Sequence, residues 1–279
     1  MESSKHIFYP DSVNELLNDV DRNPDATLFS GGASWMQKQT GELFFLPTPL
    51  VSLYGIAELR RITRTERYLE IGAMVSLSRI AGLGKIVPEA LVLSLRSTQS
   101  LLLRNITTIG GCICRRSTPE PVIAGLVALD ARYELRRAAS SRWVSAAQFS
   151  SPPEKDGGFQ AKECLARLRV PLETWNYTLC RDFSAKESGD TGNGFAVFLA
   201  RIQKDFLSEV RVIFSGATIL RDRDSELTLI NKKLPLDKKT IANFLDLWRE
   251  YLSPIGDRSE FQKAKLLNFV DSAIHYFAY

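Results

Sequence analysis

The chain has very few of the side chains from which metal sites and proton-transfer triads are built. Only two histidines occur among its 279 residues, His6 and His275, and they stand at opposite ends. Only four cysteines occur, too few for a disulfide framework in a chain of this length. Cys112 and Cys114 form a C-x-C pair, but no second close pair or histidine cluster completes a four-ligand site. We therefore expect no metal site, and the absence of a central histidine excludes a Ser-His-Asp triad.

Long apolar runs and an excess of one charge are also missing. No run approaches the roughly 20 apolar residues that span a bilayer. The first six residues do not form the apolar segment of a secretory signal. With 36 Lys and Arg against 32 Asp and Glu, the net charge of +4 is too balanced to indicate nucleic acid. We therefore expect no membrane partner, no nucleic-acid partner and a cytoplasmic location.

What is present is the composition of an ordinary globular protein, 44% hydrophobic and 24% charged, long enough for two domains. Ser12-Val13-Asn14-Glu15 is a capping box, and the apolar spacing after it predicts a helix. Ile62-Thr63-Arg64 and Tyr68-Leu69-Glu70-Ile71 predict a hairpin. Alternation from Cys164 to Val170, with Leu165 on the polar side, predicts a half-buried strand.

A domain boundary is expected near Pro171. Beyond it, the pattern predicts strands from Tyr177, from Phe195 and around Val212, and then two helices, of which the first has Asp237 as its N-cap. This order predicts a small three-stranded sheet backed by helices.

Two Gly-Gly segments carry the clearest ligand signal. A predicted strand runs into Ser30-Gly31-Gly32-Ala33-Ser34, the first Gly-Gly segment. The β-branched run from Ile106, also predicted as a strand, runs into Thr108-Ile109-Gly110-Gly111, the second. Glycine permits φ > 0 and close approach of a ligand, and successive N–H groups in such a turn can hold a diphosphate. The simpler alternative is two ordinary turns. Arg115 and Arg116 either face such an anion or form a solvated surface.

The two segments resemble the FAD loops of the flavin subunit of molybdenum hydroxylases. This family includes the flavin domain of xanthine dehydrogenase and the medium subunit of aerobic carbon monoxide dehydrogenase. Similar residues also stand outside the loops, so the resemblance spans nearly the whole chain. They are Arg104-Asn105, Leu129-Asp130-Ala131, Val170-Pro171 and Ser259-Glu260-Phe261.

The resemblance implies a mixed α+β architecture. Residues 1–170 would form a two-subdomain FAD-binding fold of the vanillyl-alcohol oxidase/PCMH type, with subdomains of about 1–55 and 56–170. Residues 171–279 would form the small C-terminal α/β domain, with a three-stranded sheet and helices.

The resemblance also implies a cofactor, partners and a role. FAD would be the cofactor, and its isoalloxazine would do the chemistry, so no catalytic side chain is expected. A large molybdenum-cofactor subunit would oxidise a heterocycle or aldehyde, and a small iron–sulfur subunit would conduct electrons to this chain's FAD, which passes them to NAD⁺ or another acceptor. The implied cofactor-binding residues are Ser30, Gly31, Gly32, Ala33, Ser34, Thr108, Ile109, Gly110, Gly111, Cys112 and, near the flavin ring, Leu165.

Two positions depart from the family pattern and leave alternatives open. Cys112 stands where the family has asparagine, and Pro121 stands where it has a cofactor-bonding aspartate. A thiol is a weak donor and proline has no N–H. One alternative is therefore a non-catalytic structural subunit that docks its partners with FAD weakly bound or lost. Another is an unrelated α+β protein with two chance Gly-Gly turns.

Overall fold

The computed structural model describes residues 7–39, 46–115, 119–150, 158–183, 194–255 and 260–278. Strands and helices are interspersed along the chain. The strands are Ile7–Phe8 (β1), Thr27–Phe29 (β2), Leu50–Ser52 (β3), Ile62–Arg64 (β4), Tyr68–Gly72 (β5), Arg132–Arg137 (β6), Ser140–Ser145 (β7), Cys164–Pro171 (β8), Tyr177–Asp182 (β9), Phe195–Gln203 (β10) and Phe206–Ser215 (β11). The helices are Val13–Arg22 (α1), Ala33–Lys38 (α2), Leu77–Ala81 (α3), Glu89–Ser97 (α4), Leu101–Ile106 (α5), Ile109–Cys114 (α6), Pro121–Ala128 (α7), Ala146–Ser150 (α8), Arg223–Leu229 (α9), Lys238–Leu252 (α10) and Glu260–His275 (α11). The mixed α+β class expected from the sequence is confirmed.

The chain divides into two compact units. The described residues within 1–87, 98–116 and 130–172 form the first unit, and those within 88–97, 117–129 and 173–279 form the second. Helix α4 packs against β9, and helix α7 packs against β10 and β11. A single domain boundary near residue 170 would separate these two helices from the strands that they contact. The domain division at that residue stays a prediction.

The first unit contains a small parallel sheet in the order β1-β3-β2. Helix α1 contacts its central strand. The predicted cap of this helix is present, because the Ser12 hydroxyl accepts a hydrogen bond from the Glu15 N–H at 3.2 Å. All three strands run in the same direction, so their carboxyl ends lie at one edge of the sheet.

The same unit contains a five-stranded antiparallel sheet in the order β4-β5-β8-β6-β7. The predicted hairpin is its β4–β5 pair. The predicted alternation along β8 fails at Leu165, since Cys164, Leu165 and Ala166 are all buried. The ladder between β6 and β8 shifts register between Glu134 and Leu135, and such a bulge turns side chains away from strict alternation.

The second unit is built on the antiparallel sheet β11-β10-β9, as predicted. Helix α10 begins at its predicted N-cap, because the Asp237 carboxylate accepts from the Thr240 N–H at 2.8 Å. Trp248 of this helix is fully buried and lies edge-on to Phe214 of β11, with ring centroids 5.4 Å apart. The predicted small sheet backed by helices is thereby confirmed.

Candidate functional site

The first Gly-Gly segment follows β2 at the carboxyl edge of the parallel sheet. Gly32 has φ +72°, a left-handed conformation that favours glycine, and its carbonyl accepts from the Met36 N–H at 2.9 Å as α2 begins. Within the described ranges, the N–H groups of Gly31, Gly32, Ala33 and Ser34 have no hydrogen-bond acceptor. Successive free donors around a left-handed residue form a concavity that suits an anion.

The second Gly-Gly segment differs from its predicted form. The sequence predicted a strand that leads into a turn, whereas helix α5 precedes the segment and the two glycines lie inside helix α6. The only remnant of strand pairing in this described stretch is one isolated bridge between Ser76 and Thr108. The Thr108 hydroxyl accepts from the Gly111 N–H at 3.1 Å, and this cap favours a helix over a turn.

The backbone donors of the second segment are already used. Ile109 and Gly110 donate to the carbonyl oxygens of Val75 and Ala73, each at 2.9 Å, and the N–H of Gly111 is taken by the threonine cap. Neither glycine has a positive φ. The need for glycine here is steric instead, because a Cβ on Gly110 would lie 2.7 Å from the Ala73 oxygen. These three N–H groups therefore do not form the expected anion-holding turn.

The structure brings the two Gly-Gly segments into contact, although they are far apart in the chain. The Thr108 hydroxyl donates to the Ser30 hydroxyl at 3.3 Å across 78 residues. A Cβ on Gly31 would lie only 1.7 Å from the Ile106 carbonyl oxygen. The first segment therefore contributes free N–H groups to this contact, and the second contributes the Thr108 hydroxyl, which donates its proton to Ser30.

The other predicted site residues lie around this contact or outside it. Cys112 is buried in α6, and Leu165 is buried on β8, a strand that α6 contacts. The Arg115 guanidinium donates to the Gln37 side chain of α2 at 3.3 Å, whereas Arg116 lies outside the described residues. Pro121 is the first residue of α7, in the second unit.

Sequence reasoning missed two residues at the same edge of the parallel sheet. Tyr54 follows β3 and is 72% exposed, and the Arg60 guanidinium carbon lies 4.1 Å from the centroid of its ring. The available signal was the apolar pair Leu50-Val51, which lies in β3, because Tyr54 stands just past the end of that strand. Ile56 anchors the turn that follows β3 and is 0% exposed. Nothing in the neighbouring sequence indicates that this residue is buried.

The described part of the chain contains neither a metal-binding cluster nor a membrane-spanning helix. No three His, Cys, Asp or Glu side chains there lie close enough together to hold a metal ion. Among the helices within the described ranges, none combines the length and apolar character that crossing a bilayer requires.

The close approach at Gly31 gives a stability prediction. Gly31→Ala should lower the free energy of unfolding by about 2 kcal/mol or more, because the two Gly-Gly segments must separate to admit the methyl group. Gly82→Ala is the matched control, since Gly82 has φ −74° and its nearest neighbouring atom would lie 3.3 Å away. Urea unfolding measures both. Equal stability of the two variants would show that the segments are not packed as described.

Comparisons with known proteins identify relatives of this chain. The family described as "FAD binding domain in molybdopterin dehydrogenase" matches residues 2–173. The xanthine dehydrogenase FAD-binding subunit of Escherichia coli O157:H7 is 25% identical over 262 residues, which cover 91% of this chain and 86% of that protein. Aldehyde oxidase 2 of Cavia porcellus is 27% identical over 180 residues, which cover 60% of this chain but only 13% of that enzyme.

A solved structure extends the likeness to the whole chain. Reconstituted CO dehydrogenase from Oligotropha carboxidovorans matches with a TM-score of 0.80 at 18% identity, over 100% of this chain and 99% of the matched chain. At this identity the likeness concerns the fold alone, and it confirms the α+β fold class that the resemblance implied. The domain bounds stay a prediction.

Proposed function

Because this chain belongs to the family of FAD-binding domains of molybdopterin dehydrogenases, we propose that it binds FAD as the electron-transfer subunit of a molybdenum hydroxylase complex. FAD supplies the redox chemistry when bound. The chain's own residues would bind the cofactor and orient it.

The observation that carries the proposal is the row of free N–H groups at residues 31–34. A diphosphate is an anion that such a row can bind, and hydrogen bonds to a charged acceptor are stronger than those to a neutral one. The hydroxyls of Ser30 and Thr108 stand beside this row, 3.3 Å from each other. The first Gly-Gly segment would therefore hold the diphosphate, with the Ser30 hydroxyl as a further donor, because Ser30 accepts the Thr108 proton and keeps its own.

Helix α6 contributes mainly shape. A Cβ on Gly111 would lie 3.0 Å from the Thr108 hydroxyl and 3.4 Å from the Ser30 hydroxyl, so a side chain there would crowd both groups. Glycine leaves them accessible to a ligand. Leu165, buried on the strand that α6 contacts, would supply an apolar surface to the flavin ring.

The partners and the electron path complete the proposal. A large molybdenum-cofactor subunit would oxidise a heterocycle or aldehyde, and a small iron–sulfur subunit would pass the electrons to this chain. NAD⁺ or another acceptor would then receive them. The likeness to a protein named as the FAD-binding subunit of xanthine dehydrogenase, over 91% of this chain, supports a role as one subunit of such a complex. A cytoplasmic location stays a prediction from the sequence.

One observation favours a second candidate, a structural subunit with weak or lost FAD binding. Cys112 is 2% exposed and replaces the asparagine of the family, and the N–H groups of the three preceding residues are taken by the protein itself. FAD would then depend on the first Gly-Gly segment for nearly all its backbone contacts. The absorption spectrum of the purified chain separates the two candidates, because bound FAD absorbs visible light and a chain without a flavin does not.

The FAD proposal predicts a difference between two glycines of the same conformation. Gly32 and Gly84 have φ of +72° and +67°, so alanine strains the backbone of both by roughly 1–2 kcal/mol. Only Gly32 lies in the first Gly-Gly segment, where a Cβ would also lie 2.9 Å from the Phe29 ring, whereas a Cβ on Gly84 would meet no atom within 4 Å. Gly32→Ala should weaken FAD binding at least tenfold, and Gly84→Ala should leave it unchanged. Flavin fluorescence during titration of the apo-protein measures the affinity, and chromatography identifies the released cofactor. Wild-type protein that neither releases FAD nor takes it up would contradict the proposal.

The proposed assembly predicts partners. Co-expression with neighbouring genes should allow this chain to capture a large molybdenum subunit and a small iron–sulfur subunit in one stable complex. Size-exclusion chromatography with metal analysis measures this outcome. A stable, flavin-loaded monomer that oxidises NADH rapidly and has no such neighbours would argue against the complex while leaving FAD binding intact.

A further inference from the structure

We propose that Tyr54 stacks on the adenine of FAD and so selects FAD over flavins that lack the adenosine half. This inference rests on the proposed function. It assigns a binding residue that belongs to neither Gly-Gly segment.

The position of Tyr54 follows from the strand order of the parallel sheet. Strand β3 lies between β1 and β2, and its carboxyl end is next to the start of the first Gly-Gly segment. The contact is direct, because the Leu53 N–H donates to the Phe29 carbonyl at 2.9 Å. Tyr54 is the next residue. Ligands of sheets with parallel strands bind outside the carboxyl ends of those strands, which is where this ring stands.

The ring is exposed and yet held in place. It is 72% exposed, with the Arg60 guanidinium over one face at 4.1 Å from the centroid. The turn between these two residues is anchored, since Ile56 and Leu59 are buried and the Ile56 N–H donates to the Leu53 carbonyl at 3.3 Å. One face of a pre-oriented aromatic ring is therefore open to solvent. Every nucleobase has a π-face that can stack on such a ring.

The rest of the proposed site decides which end of FAD reaches Tyr54. The first Gly-Gly segment contacts α5 and α6 through Ile106 and Thr108, and α6 contacts β8, which carries Leu165. Strand β3 borders the same segment through Phe29 instead. With the diphosphate at the segment, the flavin ring on the α6 and β8 side leaves the adenosine for the β3 side. That half of the cofactor then meets Tyr54.

The chain offers a matched control in Tyr9. It follows β1 at the same edge of the same sheet and is 71% exposed, almost the same as Tyr54. Strand β1 pairs with β3 and not with β2, so Tyr9 is one strand further from the first Gly-Gly segment. Loss of either ring removes the same exposed aromatic area.

The test compares three ligands on the apo-protein, namely FAD, FMN and ADP. Tyr54→Ala should raise the dissociation constants of FAD and ADP about tenfold or more, because base stacking is lost, and should leave that of FMN within about twofold. Tyr54→Trp, which keeps an aromatic face, should restore FAD affinity. Tyr9→Ala should match wild type with all three ligands. Fluorescence titration measures the flavins, and calorimetry measures ADP.

The outcomes separate this inference from the proposed function. Unchanged FAD affinity in Tyr54→Ala, or an equal loss for FMN, overturns the stacking role while FAD binding stands. Wild-type protein that binds ADP but neither flavin contradicts the proposed function, and the ADP comparison still tests the tyrosine. Wild-type protein that binds none of the three overturns both.

Discussion

The contact between Gly31 and the Ile106 carbonyl is the constraint on which the candidate site depends. No side chain fits at residue 31, since a Cβ would lie 1.7 Å from that oxygen. The second Gly-Gly segment is fixed in turn by the carbonyls of Ala73 and Val75, which follow β5. The parallel sheet therefore delivers one half of the site, and the five-stranded sheet positions the other half.

Features that rest on local signals were predictable from the sequence. The Ser12 cap, the β4–β5 hairpin and the Asp237 cap each depend on residues a few positions apart, and each was found. The conformation of the second Gly-Gly segment was not predictable in this way. Its β-branched residues favour a strand, and the acceptors that hold the helix, Ala73 and Val75, stand more than 30 residues earlier in the chain. The sequence wrongly placed Leu165 on the polar face of β8 for a similar reason. The bulge that changes its orientation depends on pairing with β6, which is distant in the chain.

The glycines of the two segments turn out to serve different purposes. Gly32 adopts a left-handed conformation that exposes successive N–H donors. Gly110 and Gly111 lie in a helix, where the absence of a side chain lets neighbouring atoms approach the backbone closely. In the proposed site the donors to an anion therefore come from the first segment, and the Thr108 hydroxyl of the second orients Ser30. In this proposal a buried Cys112 is compatible with FAD binding, since the proposed donors to the diphosphate lie in the first segment.

The central claim is that the first Gly-Gly segment holds the diphosphate through its N–H groups, and residue-resolved amide hydrogen exchange tests it most directly. Without FAD, the amides of residues 31–34 should exchange rapidly, whereas those of Ile109 and Gly110 should already be protected by Val75 and Ala73. Addition of FAD should slow exchange at residues 31–34 and leave Ile109 and Gly110 as they were. If FAD binds and the exchange of residues 31–34 does not change, the diphosphate is held elsewhere and the account is contradicted.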